Sequence, residues 1–95
     1  MPIIIIAGHV RIAPEKRDDA VAAFAAMVER ARAQDGCLDF AIGADPLDAD
    51  RLNLFECWRD RASLDAWRKI AKGPRIKRLE TRIGLYRSER AESPA

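Results

Sequence analysis

The chain has 95 residues, the size of one small domain. Hydrophobic residues make up 48% of it and charged residues 34%, which is typical of a folded globular protein and unlike a disordered one. The formal net charge is only +2, from 17 basic and 15 acidic residues, and this argues against a nucleic-acid-binding surface. We therefore predict a single globular domain without a nucleic-acid partner.

Cysteine content and hydropathy indicate the compartment. Cys37 and Cys57 are too few for a disulfide framework, so we expect a reducing cytoplasm and two buried, unreactive thiols. The apolar run at 3–6 is too short for a signal sequence or a membrane span. The predicted location is cytoplasmic, without membrane association.

Residues 3–12 predict the first strand, because β-branched residues dominate them. Side chains alternate between the faces of a strand. The even positions are apolar throughout, whereas the odd positions become polar at His9 and Arg11. Both faces of this strand therefore need to be covered over most of its length.

A helix is predicted to follow, opened by Pro14 and Glu15, since proline and acidic residues suit the first turn. Gly36 is the expected end of this helical region. Its apolar stripe has three- and four-residue spacing and consists of Ala20, Val21, Phe24, Met27, Val28 and Ala31.

A hairpin of two strands, 37–43 and 52–58, is predicted next, because the Asp- and Pro-rich turn between them is short. Asp60 is a good N-cap for a second helix, and Gly73 with Pro74 ends that helix.

The C-terminal part is predicted to contain one more short helical turn at 76–79 and a last strand at 82–88. In that strand Ile83 and Leu85 share one face. Residues 1–88 therefore form the predicted domain, and 89–95 form a polar tail.

The element order is β-α-β-β-α-β, which predicts an α+β ferredoxin-like fold with a four-stranded antiparallel sheet. Both helices then lie on one face of the sheet. The other face also carries apolar residues, and a second copy of the chain is the simplest cover for it. We therefore predict a homodimer through the sheet face.

Several motifs occur in a characteristic order: Gly36-Cys37, then Phe55-Glu56-Cys57-Trp58, then Arg59-Asp60, with Trp67 nine residues after Trp58. With this pattern the chain resembles the antibiotic biosynthesis monooxygenase family from about Ile3 to Tyr86. The resemblance implies a dimeric α+β barrel. It also implies an oxygenase for quinols or phenols that needs no metal or flavin, because the reduced ring supplies the electrons.

Two departures from the family stand out. Many members carry histidine where this chain has Trp67, and often a second one where it has Arg75. In heme-degrading relatives Trp67 would fit, but Lys77 stands at the axial histidine position, and a protonated lysine is a poor heme ligand. Cofactors and metals are therefore not expected, and one histidine with two distant cysteines gives no zinc pattern.

His9 is the predicted catalytic residue. It is the only histidine, it lies where a strand face turns polar, and an imidazole suits a general base near neutral pH. The alternative is a hydrogen-bonded structural histidine. Glu56 is a second ionisable residue in an apolar strand, and we expect it to pair with an arginine, within the chain or across the dimer, rather than to act as an acid.

The predicted substrate-binding residues could stack on a ring or hold an anion; they are Trp67, Trp58, Arg75, Tyr86 and Phe24. For Trp67, Trp58 and Phe24 the alternative is ordinary core packing, which we favour for Trp58 and Phe24. For Tyr86 the alternative is an ordinary sheet-edge residue, and for Arg75 it is a solvent-exposed side chain, which we favour. A late basic cluster is first interpreted as a solvated helix face, and otherwise as a basic rim that attracts an anionic substrate. It consists of Arg68, Lys69, Lys72, Arg75, Lys77, Arg78 and Arg82.

The favoured function is oxidation of a quinol or phenolic aromatic by molecular oxygen without a cofactor. The alternative is a non-catalytic dimeric module that binds a small hydrophobic or aromatic molecule.

Overall fold

Six regular elements follow one another as β-α-β-β-α-β in the computed structural model, which describes residues 2–95. The four strands form one antiparallel sheet in the order β2-β3-β1-β4. This confirms the predicted ferredoxin-like α+β fold. The elements are β1 (Ile3–Arg11), α1 (Arg17–Arg32), β2 (Cys37–Ala44), β3 (Arg51–Trp58), α2 (Arg61–Ile70) and β4 (Glu80–Ser88).

The two faces of the sheet have different surroundings. On the inner face, Ile4 and Ile6 of β1 are buried with Leu64 and Trp67 of α2. Further along the same face lies a second cluster of buried residues from β1 and the residue that follows it, from α1 and from β3: Val10, Ile12, Ala20, Phe24 and Leu52. Both helices therefore cover the face that carries the even-numbered residues of β1.

The outer face carries the odd-numbered residues of β1 and their cross-strand neighbours. Three rows across the sheet define it: Cys57–Ile5–Tyr86, Phe55–Ala7–Gly84 and Asn53–His9–Arg82. The first two rows are largely apolar and the third is polar. Because the helices lie on the inner face, the odd residues of β1 remain only half-buried.

Both helices begin where the sequence predicts them, but α1 ends at Arg32, four residues before the predicted end at Gly36. A 3-10 helix, Pro14–Lys16, leads directly into α1, which buries Ala20, Phe24 and Ala31 of the predicted stripe. At the start of α2, the Asp60 carboxylate accepts a hydrogen bond of 2.8 Å from the backbone N–H of Ser63. This is the predicted N-cap, and it pairs one of the N–H groups that a helix start leaves free.

Two positions require glycine. Gly8 has φ +155°, and a Cβ there would lie 2.0 Å from the carbonyl oxygen of Arg82 in the neighbouring strand. Gly36 has φ +83°, and a Cβ there would lie 2.1 Å from the hydroxyl oxygen of Ser63. The first glycine lets β1 and β4 approach each other, and the second turns the chain from α1 into β2.

The connection after α2 differs from the prediction. The helix ends at Ile70, three residues before Gly73, and residues 71–78 form no helical turn. Pro74 has no N–H and disfavours a helix here. Ile76 packs instead against the second cluster, and the N–H of Leu79 donates to the carbonyl of Arg11 at 2.8 Å. The pairing of β4 with β1 consequently begins at Glu80, two residues earlier than predicted.

The cysteines are half-buried rather than buried, and both are free. The bulge in β2 between Cys37 and Asp39 leaves the Cys37 side chain partly open. Burial nevertheless raises the pKa of the Cys37 thiol, and it raises the pKa of the Cys57 thiol as well. Both thiols are thus protonated near neutral pH, which makes them poor nucleophiles.

Candidate functional site

A cavity of about 410 Å³ lies between the start of α1 and the segment 74–79 that leads into β4. For comparison, an engineered cavity of about 150 Å³ holds benzene. The wall is mostly apolar, as in most small-molecule sites. Its lining consists of Ile12, Ala13, Lys16, Asp19, Ala20, Ala23, Pro74, Arg75, Ile76, Lys77 and Leu79. The cavity has room for a flat molecule of two fused rings.

The polar groups of the cavity come from its two opposite walls. Lys16 and Asp19 lie on the helical wall, and Arg75 and Lys77 lie on the segment wall. Within residues 2–95, the ion pairs of the structure involve none of these four side chains. Three positive charges against one negative charge give the cavity a positive potential. Arg75 and Lys77 thus fit the predicted basic rim.

The segment wall is held at both ends. A guanidinium nitrogen of Arg30 donates to the carbonyl of Lys72 at 3.0 Å, and the N–H of Leu79 bonds to β1. Gly73 lies against Phe24 and Met27, since a Cβ there would come within 3.5 Å of each side chain. Residues 73–79 therefore lie against α1 as an ordered wall, although they form no helix.

Of the predicted site residues, Arg75 alone lines the cavity. Phe24 is buried in the second cluster beside Ile12 and Ala20, and these two residues are part of the cavity lining. Phe24 therefore supports the wall from behind.

Trp58 and Trp67 lie away from the cavity in the first cluster, where they are 0% and 3% exposed. Their rings stack with centroids 6.2 Å apart, and Phe40 packs edge-on against both. The Arg30 guanidinium lies 5.6 Å from the centroid of the Trp67 ring. Trp58 and Trp67 both pack as core residues of the chain.

His9 and Tyr86 lie on the outer face of the sheet. His9 is half-buried between Asn53 and Arg82, and Tyr86 is 57% exposed. The Tyr86 ring lies over Gly84: a Cβ placed at Gly84 would be 2.8 Å from the tyrosine hydroxyl. The sheet thus separates His9 and Tyr86 from Arg75 and from both tryptophans, and one protomer does not bring the six predicted residues together.

Glu56 lies on the inner face, and its partner within the chain is not the expected arginine. Its carboxylate accepts a hydrogen bond of 3.0 Å from the indole Nε1 of Trp58. Burial raises the pKa of this carboxyl group, against the smaller opposing effects of the Trp58 hydrogen bond and the positive charge of Arg68. The signal was present in the sequence, since residues two apart in a strand share a face.

Lys16, Asp19 and Lys77 were not among the predicted substrate-binding residues. Lys77 belonged to the basic cluster, but the helical turn predicted at 76–79 did not place it beside Arg75 on one wall, and the extended backbone there was found only in the structure. Nothing in the local pattern of Lys16 or Asp19 places them opposite that segment, because only the folded chain brings α1 and 74–79 together.

Residues 2–95 contain no group of three or more His, Cys, Asp or Glu side chains placed to hold a metal ion. Among their helices, none combines the length and the hydrophobicity needed to cross a membrane.

Comparison with known families identifies the family of the chain. The model of the family described as "Antibiotic biosynthesis monooxygenase" matches residues 3–72, which is most of the chain. The chain belongs to the antibiotic biosynthesis monooxygenase family. The match covers β1 through α2 and the motif at 55–60, and it ends just before the cavity's segment wall.

One curated relative is similar to part of the chain. The uncharacterized protein sll1783 of Synechocystis sp. is 31% identical over 62 residues, which cover 65% of this chain and 42% of that protein. The match thus spans less than half of the relative's length.

Solved structures share the fold. A Bacteroides thetaiotaomicron protein, described as a possible oxidoreductase, superimposes with a TM-score of 0.74 at 17% identity, covering 90% of this chain and 97% of that one. A Pseudomonas aeruginosa protein gives 0.69 at 23% identity, with coverages of 96% and 95%. A Deinococcus radiodurans protein named for antibiotic biosynthesis monooxygenases gives 0.72 at 15% identity, with coverages of 97% and 98%. At these identities the likeness establishes the fold alone. Family membership supports a general monooxygenase-like or small-ligand-binding role.

Proposed function

We propose that this protein is a cofactor-independent monooxygenase that oxidises a quinol or a related phenol with molecular oxygen. The observation that carries the proposal is the cavity between α1 and residues 74–79, which combines an apolar wall with unpaired cationic side chains. A flat aromatic ring fits the apolar wall, and a phenolate fits the cations.

The proposed oxidation needs no electrons from the protein. A quinol and O₂ give a hydroxylated quinone and water, and the ring supplies the electrons. The form of the substrate that reacts with O₂ is the phenolate anion. The protein therefore contributes most by favouring ionisation of the phenol. Arg75 and Lys77 lie where their charges would lower the pKa of a bound hydroxyl group. The released proton passes to solvent at the mouth of the cavity.

The test is oxygen uptake by the purified protein with a panel of hydroquinones and dihydroxynaphthalenes. Replacing Arg75 with Gln keeps the side chain polar and removes its charge. We expect kcat/KM to fall by about tenfold or more, which is at least about 1.4 kcal/mol of transition-state stabilisation. Arg78→Gln is the matched control, because Arg78 is exposed in the same segment and does not line the cavity. Equal rates for the two variants would contradict the proposal.

A second function is favoured by one observation. The cavity lining contains no histidine, the side chain most often used in general acid–base catalysis, and His9 lies on the other face of the sheet. A non-catalytic module that binds a small hydrophobic or aromatic molecule would need only the cavity. Ligand-dependent stabilisation without oxygen uptake across the panel would favour this module over the enzyme.

We also propose that the protein works as a homodimer through the outer face. Phe55 is 37% exposed and Tyr86 57%, and they adjoin the half-buried Ile5 and Ala7. Covering this apolar area with a second copy would bury it by two-fold symmetry. It would also enclose His9 between two sheets.

Light scattering after gel filtration tests the dimer. We expect twice the chain mass of 10.6 kDa. Phe55→Lys places a charge in the apolar rows and should give the monomer mass. Leu47→Lys is the control, since Leu47 is 91% exposed in the β2–β3 turn and lies outside those rows. A native protein that scatters as a monomer would refute the assembly.

A further inference from the structure

The distribution of charge around the cavity indicates which substituent a bound ring would carry. On the helical wall, Lys16 and Asp19 contribute one charge of each sign, which sum to zero although the two side chains form no ion pair in the described structure. On the segment wall, Arg75 and Lys77 have no acidic neighbour in the lining. The uncompensated positive charge therefore lies on the segment wall.

Local backbone structure explains why these two cations lie together. Residues 71–78 form neither a helix nor a strand, and Pro74 favours an extended backbone before it. Ile76 packs into the second cluster and fixes the segment at its middle. Arg75 and Lys77, on either side of Ile76, are both exposed and both reach the cavity.

A phenolate presents only one acceptor oxygen to these two cations, whereas a carboxylate presents two. A guanidinium group offers paired N–H donors that match the two oxygens of a carboxylate, and an adjacent ammonium group adds a second positive charge. A ligand with a permanent carboxylate beside its ring would therefore suit this wall better than a neutral quinol.

We propose that the ligand of this cavity is an aromatic carboxylate, with its ring against Ile12, Ala20 and Leu79 and its carboxylate on Arg75 and Lys77. The inference rests on the proposed function only in using the same cavity. It names the substrate class, and it applies equally to an enzyme and to a binding module.

Equilibrium binding of two unreactive probes tests the proposal. 2-Naphthoate and 2-naphthamide share the ring and differ in the charge of the substituent, and neither is a quinol, so the absence of turnover has no effect on the result. By calorimetry at low salt we expect the carboxylate to bind at least about tenfold more tightly than the amide, an advantage that shrinks as salt is added.

Variants test whether the segment wall causes the preference for the carboxylate over the amide. Arg75→Gln with Lys77→Gln should abolish the advantage of 2-naphthoate while leaving the affinity for 2-naphthamide unchanged. Arg78→Gln should leave both affinities unchanged. Because all these side chains are exposed, folding is expected to survive, and thermal unfolding checks it. Equal affinities for the two probes, a preference that survives the double substitution, or no binding of either probe would each overturn the proposal.

Discussion

Glu56 and Trp58 lie two residues apart on the inner face of β3, and the Glu56 carboxylate accepts a 3.0 Å hydrogen bond from the indole Nε1. The indole is fully buried, so this bond pairs a polar group that water does not reach. The carboxylate itself lies mostly out of solvent, which raises its pKa above the ordinary value of 4.5. The stability of the core around Trp58 is therefore expected to depend on pH through the protonation of Glu56.

Stability should therefore depend on the protonation of Glu56. Because its pKa is higher in the folded than in the unfolded chain, this residue favours folding most below pH 4.5 and loses that contribution as pH rises through the folded-state pKa. Glu56→Gln keeps an acceptor for the indole and cannot ionise. We expect the variant to gain stability relative to the native protein between acidic and neutral pH, measured by urea unfolding.

Two comparisons complete that experiment. Glu89→Gln changes an exposed glutamate in the tail and should give no pH-dependent difference. Glu56→Ala leaves the Trp58 N–H without its partner and should cost about 1–3 kcal/mol. A difference between Glu56→Gln and the native protein that stays constant with pH would show that the carboxyl group is not perturbed.

Trp67 is expected to act on stability rather than on substrate. It is buried against Trp58 and Phe40, so Trp67→Ala should cost about 3–5 kcal/mol. Trp67→Phe keeps an aromatic ring in the cluster and should leave the affinity for 2-naphthoate within about twofold, because Trp67 does not line the cavity. A tenfold weaker affinity at unchanged stability would instead place the ligand beside the indole.

His9 distinguishes the two faces of the sheet. Since it lies on the outer face, His9→Gln should leave oxygen uptake within about twofold of the native rate, if the reaction occurs in the cavity. The measurement is kcat with the best quinol of the panel, alongside the mass in solution. A large loss of kcat in a stable dimer would support the sequence-based prediction that His9 is catalytic and would move the chemistry between the two sheets.

Gly8 should tolerate no side chain. Gly8→Ala forces a Cβ into the backbone of β4 at a positive φ, and we expect a loss of at least about 2 kcal/mol of unfolding free energy. Gly43→Ala is the matched strand control, because a Cβ there has no atom within 4 Å. Similar urea midpoints for the two variants would show that β1 and β4 can separate without cost.

Much of the fold was determined by local sequence. Alternation in β1, the spaced apolar stripe of α1 and the Asp60 cap each act within a few residues, and each formed as predicted. The helical turn predicted at 76–79 does not form. Ile76 packs against the second cluster instead, and this tertiary contact outweighs the weak helical periodicity of the segment.

The candidate site depended on information that no local pattern carries. Residues 3–6 are isoleucine on both faces of β1, so the sequence could not say which face the helices would cover, nor that His9 and Trp67 would lie on opposite sides. The cavity joins residues 12–23 to residues 74–79, more than fifty positions apart along the chain. The sequence by itself determined the elements and their order, because these depend on neighbours in the chain. Only the packing of α1 and the 74–79 segment over one face of the sheet decided where a ligand can bind.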